Sequence, residues 1–224
     1  MAHRFVALPE GGRKTYLYAE DRRTKVREVL WGDYLQVRRE LDGGWLEIDW
    51  APNSPAKRRT LTIPGGDTDT RRPLEIIFVD VGQGDGAVMV SPERGADEHI
   101  TVIDAGEAGN MRAFLAARFA TYRGFDFSAA VITHPDQDHY GGFLPLFSDP
   151  AIGFRTVYHN GLLERPVAGD WAKLGGTPLR DAASGTAFVQ GLGVDRAAAE
   201  VLYAQRTAVG RFSFPRLMRA ALDN

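Results

Sequence analysis

Thr133-His134-Pro135-Asp136-Gln137-Asp138-His139-Tyr140-Gly141-Gly142 sets four metal-capable side chains within six positions. Pro135 biases the residue before it, His134, toward extended backbone. In extended chain, residues i and i+2 project to the same side, so His134 and Asp136 can address one centre. The adjacent pair Asp138-His139 can then turn toward a second point nearby, because Gly141-Gly142 lets the backbone bend tightly. A loop of this kind can feed two neighbouring cations, an arrangement suited to ester hydrolysis. The competing reading is that these side chains cap the following helix and hydrogen-bond the loop, a role open to Asp138.

The surrounding sequence predicts an α/β arrangement. Leu74 to Asp80 is a nearly continuous apolar run, as expected of a strand buried on both faces. Gly82-Gln83-Gly84-Asp85-Gly86 reads as a tight turn, and Ala87–Val90 and Ile100–Ile103 as strands. Asn110 is placed to cap a helix whose apolar residues Met111, Phe114, Leu115, Phe119 and Tyr122 recur at helical spacing, with Gly124 as its stop. Phe127 to Thr133 is the strand that delivers His134, and Thr156 to His159 is one more. Strands alternating with a helix point to sheet inside and helices outside.

The His134–His139 segment resembles the second motif of the metallo-β-lactamase superfamily, His-x-His-x-Asp-His. Phe78-Val79-Asp80-Val81-Gly82-Gln83-Gly84-Asp85 resembles the opening strand and turn of one branch, which includes the hydrolase domain of ComEC-type competence proteins. Val102-Ile103-Asp104-Ala105-Gly106 resembles the superfamily's first motif, an Asp closing a strand. The three stretches occur in the family's order and span Leu74 to about Gly161.

The resemblance implies roles. His134 and Asp136 would bind a first metal ion, and Asp138 and His139 a second. Asp138 would also stand near the attacking water as the catalytic residue. Asp104 would hold the loop by hydrogen bonding, and Asp80 and Asp85 would shape the turn beside the site. Asp136 stands where most members carry a second His, as is common in the similar branch. A carboxylate there makes the site harder, and zinc or manganese is the expected pair of divalent ions. The family completes its site with a later His, a bridging Asp and often a last His. After His139 only His159 remains, about 20 residues on, and neither Asp170 nor Asp181 follows an apolar strand.

The family's fold is an αββα sandwich of two similar halves. The last 60 or so residues show little strand character. Val194–Val209 reads as a helix with Val201, Leu202 and Ala208 as apolar contacts, and Phe212, Phe214, Leu217, Met218 and Leu222 as a last helix. The expectation is therefore a truncated hydrolase domain over 74–224, holding the first half of the sandwich.

Ahead of it lies a different pattern. Thr15–Ala19 and Tyr34–Val37 read as strands, Gly32-Asp33 as a turn, and Asp42-Gly43-Gly44 as a hairpin. Trp45-Leu46-Glu47-Ile48-Asp49-Trp50 alternates with period two. This resembles a bacterial SH3-like β-barrel over 1–63, which implies a protein or peptide partner. The Pro- and Gly-rich, partly basic stretch that follows gives an expected linker at 64–73.

Composition narrows the function classes. With 44% hydrophobic and 25% charged residues and a net charge of -2, nothing marks a nucleic-acid-coating or membrane-surface protein. The absence of cysteine excludes disulfides, thiolate metal sites and cysteine nucleophiles. No apolar stretch is long enough to span a bilayer, and the N-terminus lacks a secretory signal, so a cytoplasmic location is expected. Met1–Arg72 holds 14 basic against 11 acidic residues, and the remainder 13 against 18, so the acidic part is the part with the metal motif. Two functions follow. One is a binuclear metal hydrolase acting on a phosphodiester, nucleic-acid-like substrate or related anionic ester. The other is a catalytically incomplete fragment or a non-enzymatic binding module.

Overall fold

The computed structural model describes residues 2–50, 58–93, 97–119, 126–161, 179–188, 192–203 and 213–224. The chain divides into two compact units, Met1–Leu74 with Pro92–Gly95, and Glu75–Ser91 with Ala96–Asn224.

The first unit is all β. Its strands are β1 (Ala2–Val6), β2 (Thr15–Tyr18), β3 (Lys25–Val29), β4 (Tyr34–Leu41), β5 (Trp45–Trp50), β6 (Arg59–Pro64) and β7 (Thr68–Asp69). They form one antiparallel sheet in the order β3-β2-β6-β5-β4-β1-β7. The period-two pattern of β5 sends Leu46 and Ile48 inward, where they meet Leu17, Leu35, Val37 and Ile63 in a buried apolar cluster. Asp42-Gly43-Gly44 turns the chain between β4 and β5, with Gly43 at φ 68° and Gly44 at φ 74°, a region that favours glycine.

The expected linker at 64–73 is corrected. Pro64 closes β6, Gly65–Asp67 makes a tight turn, and Thr68–Asp69 pairs with β1 through Phe5↔Asp69 and Val6↔Thr68. Gly and Pro mark a sharp turn as readily as a linker, and here the turn returns the chain to its own sheet. The basic residues nearby have local partners: Arg58 faces Asp49 at 3.4 Å and Arg71 faces Asp69 at 3.6 Å.

The second unit opens with β8 (Glu75–Phe78), β9 (Gly86–Val90) and β10 (Ile100–Ala105), followed by helix α1 (Asn110–Arg118). Then come β11 (Asp126–Phe127), β12 (Ala129–Ile132), α2 (Gln137–Tyr140), α3 (Phe143–Phe147), β13 (Gly153–Phe154) and β14 (Val157–His159). The hairpin β15 (Leu179–Arg180) and β16 (Ala187–Phe188) precedes helices α4 (Arg196–Leu202) and α5 (Ser213–Asp223). Five strands make the main sheet, in the order β14-β12-β10-β9-β8. β14, β12 and β10 run parallel, while β9 and β8 run antiparallel to their neighbours.

One face of this sheet carries the core. Val88, Val102 and Ala130 lie fully buried beneath Met111 and Leu115 of α1, Phe143 and Leu146 of α3, and Phe214 and Leu217 of α5. The other face shows a row in register across all five strands: Phe78, Ala87, Ile103, Val131 and Tyr158. Phe78 is 85% exposed, Tyr158 59% and Ile76 53%.

That row overturns the expectation for Leu74–Asp80. β8 is an edge strand with alternating burial, and only its Ile77 side packs on the core. A continuous apolar run predicts cover on two faces, whereas Ile76 and Phe78 on one face of β8 are mostly exposed. Three smaller readings also change. Gly109 occupies the cap of α1, Asn110 is its first residue, and no side chain caps the end. The strand expected over Phe127–Thr133 breaks at Ser128 into β11 and β12, with β11 pairing to β13. Val201, expected as an apolar contact, is 81% exposed. The α4 cap is Asp195, whose carboxylate accepts from the Ala198 amide at 2.8 Å. Tyr122, Gly124, Asp170, Ala208 and Phe212 lie outside the described residues.

Candidate metal centre

Strand direction brings the motifs together. β10 and β12 are parallel, so the segments leaving them, Asp104 onward and Thr133 onward, emerge at one edge of the sheet. β9 is antiparallel to β10, so the Asp80–Asp85 turn before it reaches the same edge. Backbone hydrogen bonds tie the three segments together. Gly106 N–H donates to the Asp85 carbonyl (2.9 Å), Glu107 N–H to Gln83 (3.2 Å) and Gly142 N–H to Gly106 (2.8 Å).

Glycine makes this approach feasible. A Cβ on Gly84 would stand 1.6 Å from the Asp138 carbonyl oxygen, and one on Gly142 would stand 2.1 Å from that of Ala105. Gly84 also has φ +95°, so side chains are excluded both by space and by backbone conformation.

Asp104 sits where the β9–β10 register shifts, between the pairs Ile103↔Ala87 and Ala105↔Gly86. Its φ of 50° is unusual for a residue with a side chain. A bulge of this type re-aims the side chain it carries. The Asp104 carboxylate is buried and accepts three hydrogen bonds: from Thr133 N–H to Oδ1 (2.9 Å), from the Thr133 hydroxyl to Oδ2 (2.6 Å), and from His139 Nδ1 to Oδ2 (2.9 Å).

His134 and His139 lie side by side with ring centroids 3.8 Å apart. His134 Nδ1 is 3.0 Å from Thr133 Oγ1. Ligand atoms of Asp104, His134 and His139 all fall within 4.8 Å of one another, a group that can hold a metal ion. Asp136 stands beside it, with Oδ2 3.6 Å from His134 Nε2 and a 73% exposed side chain. It occupies the cap position of α2 yet makes no side-chain capping bond, so its carboxylate is not spent on the helix. Asp85 approaches from the other turn, 4.0 Å from His139 Nδ1. Asp138 lies in the first turn of α2, and among the described residues its side chain has no hydrogen-bonded partner. Asp80 accepts from Gly82 N–H at 3.2 Å and so shapes its own turn.

The histidines differ electrically. Burial works against a charged His139, but the Asp104 hydrogen bond and charge, with Asp138 and Asp85 beyond, raise its pKa overall. His159 is pushed down by burial alone. It pairs in register with Ile132, so it reaches the same sheet edge as His134. Its Nδ1 accepts from Gly161 N–H at 3.1 Å, and it is not part of the Asp104–His134–His139 group. Asp181 is a turn residue that accepts from the Ser184 amide and hydroxyl.

Two members of the site escaped the reading of the sequence. Thr133 bridges Asp104 and His134, and Glu107 accepts from Gln137 Nε2 at 3.2 Å. A hydroxyl residue directly before a candidate ligand was the available signal for Thr133. No family model, no curated protein and no solved structure matches the chain.

Proposed function

We propose that the second unit is a metal-dependent hydrolase of the metallo-β-lactamase type, acting on a phosphodiester or related anionic ester. The observation that supports this reading is the convergence of His134 and His139 beside the buried Asp104, ligand atoms of the three lying within 4.8 Å, with Asp136, Asp138 and Asp85 around them. Two imidazoles among several carboxylates, with no thiolate, suit zinc or manganese. His134 and Asp136 would hold one ion, Asp138 and His139 a second. Such ions supply charge neutralisation at the ester and a water acidic enough to ionise near neutral pH. The residues supply position. Asp104 would orient the imidazoles, the glycine turns fix the loops against one another, and Asp138, in the first turn of α2, would stand near the attacking water as the catalytic residue. The surrounding carboxylates would repel an anionic substrate unless cations were in place, so substrate binding and metal binding should be coupled.

A second reading is an interaction module. The row on the sheet of the second unit favours it: Phe78 and Tyr158 are exposed at its ends and Ala87, Ile103 and Val131 are half-buried between them, and apolar surface of this kind often meets a partner. The first unit, read as an SH3-like module, would add a peptide or protein partner. One experiment separates the two. Metal content is measured after equilibration with zinc or manganese, followed by hydrolysis of bis-p-nitrophenyl phosphate by the wild type and Asp138→Ala. Stoichiometric metal with activity abolished in the variant supports the hydrolase. A wild type that neither retains metal nor cleaves the ester leaves the interaction module.

A further inference from the structure

We infer that one buried carboxylate, that of Asp104, sets the tautomer of both histidines, directly for His139 and through the Thr133 hydroxyl for His134. An ionised carboxylate only accepts hydrogen bonds. The Thr133 hydroxyl carries one hydrogen, and its 2.6 Å contact with Asp104 Oδ2 requires that hydrogen to point there. Toward His134 Nδ1, 3.0 Å away, Thr133 Oγ1 can then only accept. His134 Nδ1 must carry the proton, which leaves the lone pair on Nε2. The contact of His139 Nδ1 with Asp104 Oδ2 imposes the same tautomer without an intermediary. Both rings thus present an unprotonated Nε2, the form a metal requires.

The backbone is built for this task. Thr133 N–H anchors Asp104 Oδ1, so the carboxylate cannot rotate away from the hydroxyl. The φ of 50° at Asp104 is held by these three bonds and by the register shift of β10. Thr133 is accordingly a positioning residue. That it serves a metal rests on the proposed hydrolase reading; the tautomer itself does not.

The test is a long-range 1H–15N correlation spectrum of the metal-free 15N-labelled protein, taken at a pH where the imidazoles are neutral. It distinguishes protonated from lone-pair ring nitrogens. In the wild type and in Thr133→Ser, both His134 and His139 should show Nδ1–H and a bare Nε2. In Thr133→Val, His134 should gain the Nε2–H form while His139 keeps its own. Zinc affinity, read by competition with a chromophoric chelator, should fall about 10- to 100-fold in Thr133→Val and recover in Thr133→Ser. His134 in the Nε2–H form in the wild type, or unchanged in Thr133→Val, overturns the relay. Should Thr133→Val fail to fold, the wild-type and Thr133→Ser spectra decide by the same criterion. The predicted tautomers without zinc binding uphold the relay and reject the metal reading instead.

Discussion

Asp104 Oδ2 and His139 Nδ1 are joined by a 2.9 Å hydrogen bond, and the carboxylate that accepts it is only 3% exposed. A buried charge with three donors is costly to disturb. Asp104→Asn removes the charge and turns half of the acceptor into a donor. It should lower stability by about 1–3 kcal/mol in chemical denaturation. It should also weaken zinc binding by about 10- to 100-fold in calorimetry. Zinc affinity equal to wild type would detach Asp104 from the centre.

Gly84 offers a steric test. Alanine there would drive its methyl group into the Asp138 carbonyl and force a strained φ, so the turn and α2 must part. Gly84→Ala should lower the melting temperature and metal affinity together. Gly66→Ala is the control, because a Cβ there meets nothing within 4 Å. Equal losses in both variants would show that the close approach is unimportant.

The two faces of the main sheet should respond differently to substitution. Ile132→Ala removes a side chain 1% exposed and should cost about 2–5 kcal/mol. Phe78→Ser changes a side chain that is mostly in solvent and should stay within about 0.5 kcal/mol of wild type. The same change should reduce any concentration-dependent association seen by light scattering. A large loss of stability for Phe78→Ser would mean that this face is covered in solution.

Acid provides a separate check on the first unit. The Thr24 hydroxyl and amide, followed by the Arg23 amide, hold the Asp21 carboxylate at a pKa of about 2, down from its ordinary 3.8. A depressed carboxylate contributes stability that is fully present above its unfolded value and is lost as pH falls through the folded one. That window runs from about 4 down to about 2. Carboxyl NMR titration should place Asp21 at the bottom of the window, and Asp21→Asn should flatten the acid limb of the stability curve there. A midpoint near 3.8 would contradict the turn geometry.

Parts of the molecule were legible in sequence for physical reasons. β5 was readable because Trp45–Trp50 alternates strictly, and the turn before it because two glycines adopt positive φ. β3 and β7 were not. Lys25–Val29 is mostly exposed and polar, and Thr68–Asp69 is two residues long, so neither has a period to detect. In the site, His134 and His139 were found and are brought together. The roles of Thr133 and of the φ at Asp104 depend on a register shift between strands, which no local pattern encodes. The run at Ile76 misled because apolar residues read alike whether or not something covers them.

The glycine-to-carbonyl contacts at Gly84 and Gly142 divide the site into what can be altered and what cannot. The loops are locked through backbone, while Asp85 and Asp136 extend from them into solvent. Randomising those two positions should yield mostly folded variants with altered ion preference, whereas a library that includes the glycines should yield mostly unfolded chains. The scaffold would then serve as a starting point for retuning ion selectivity by surface substitutions alone.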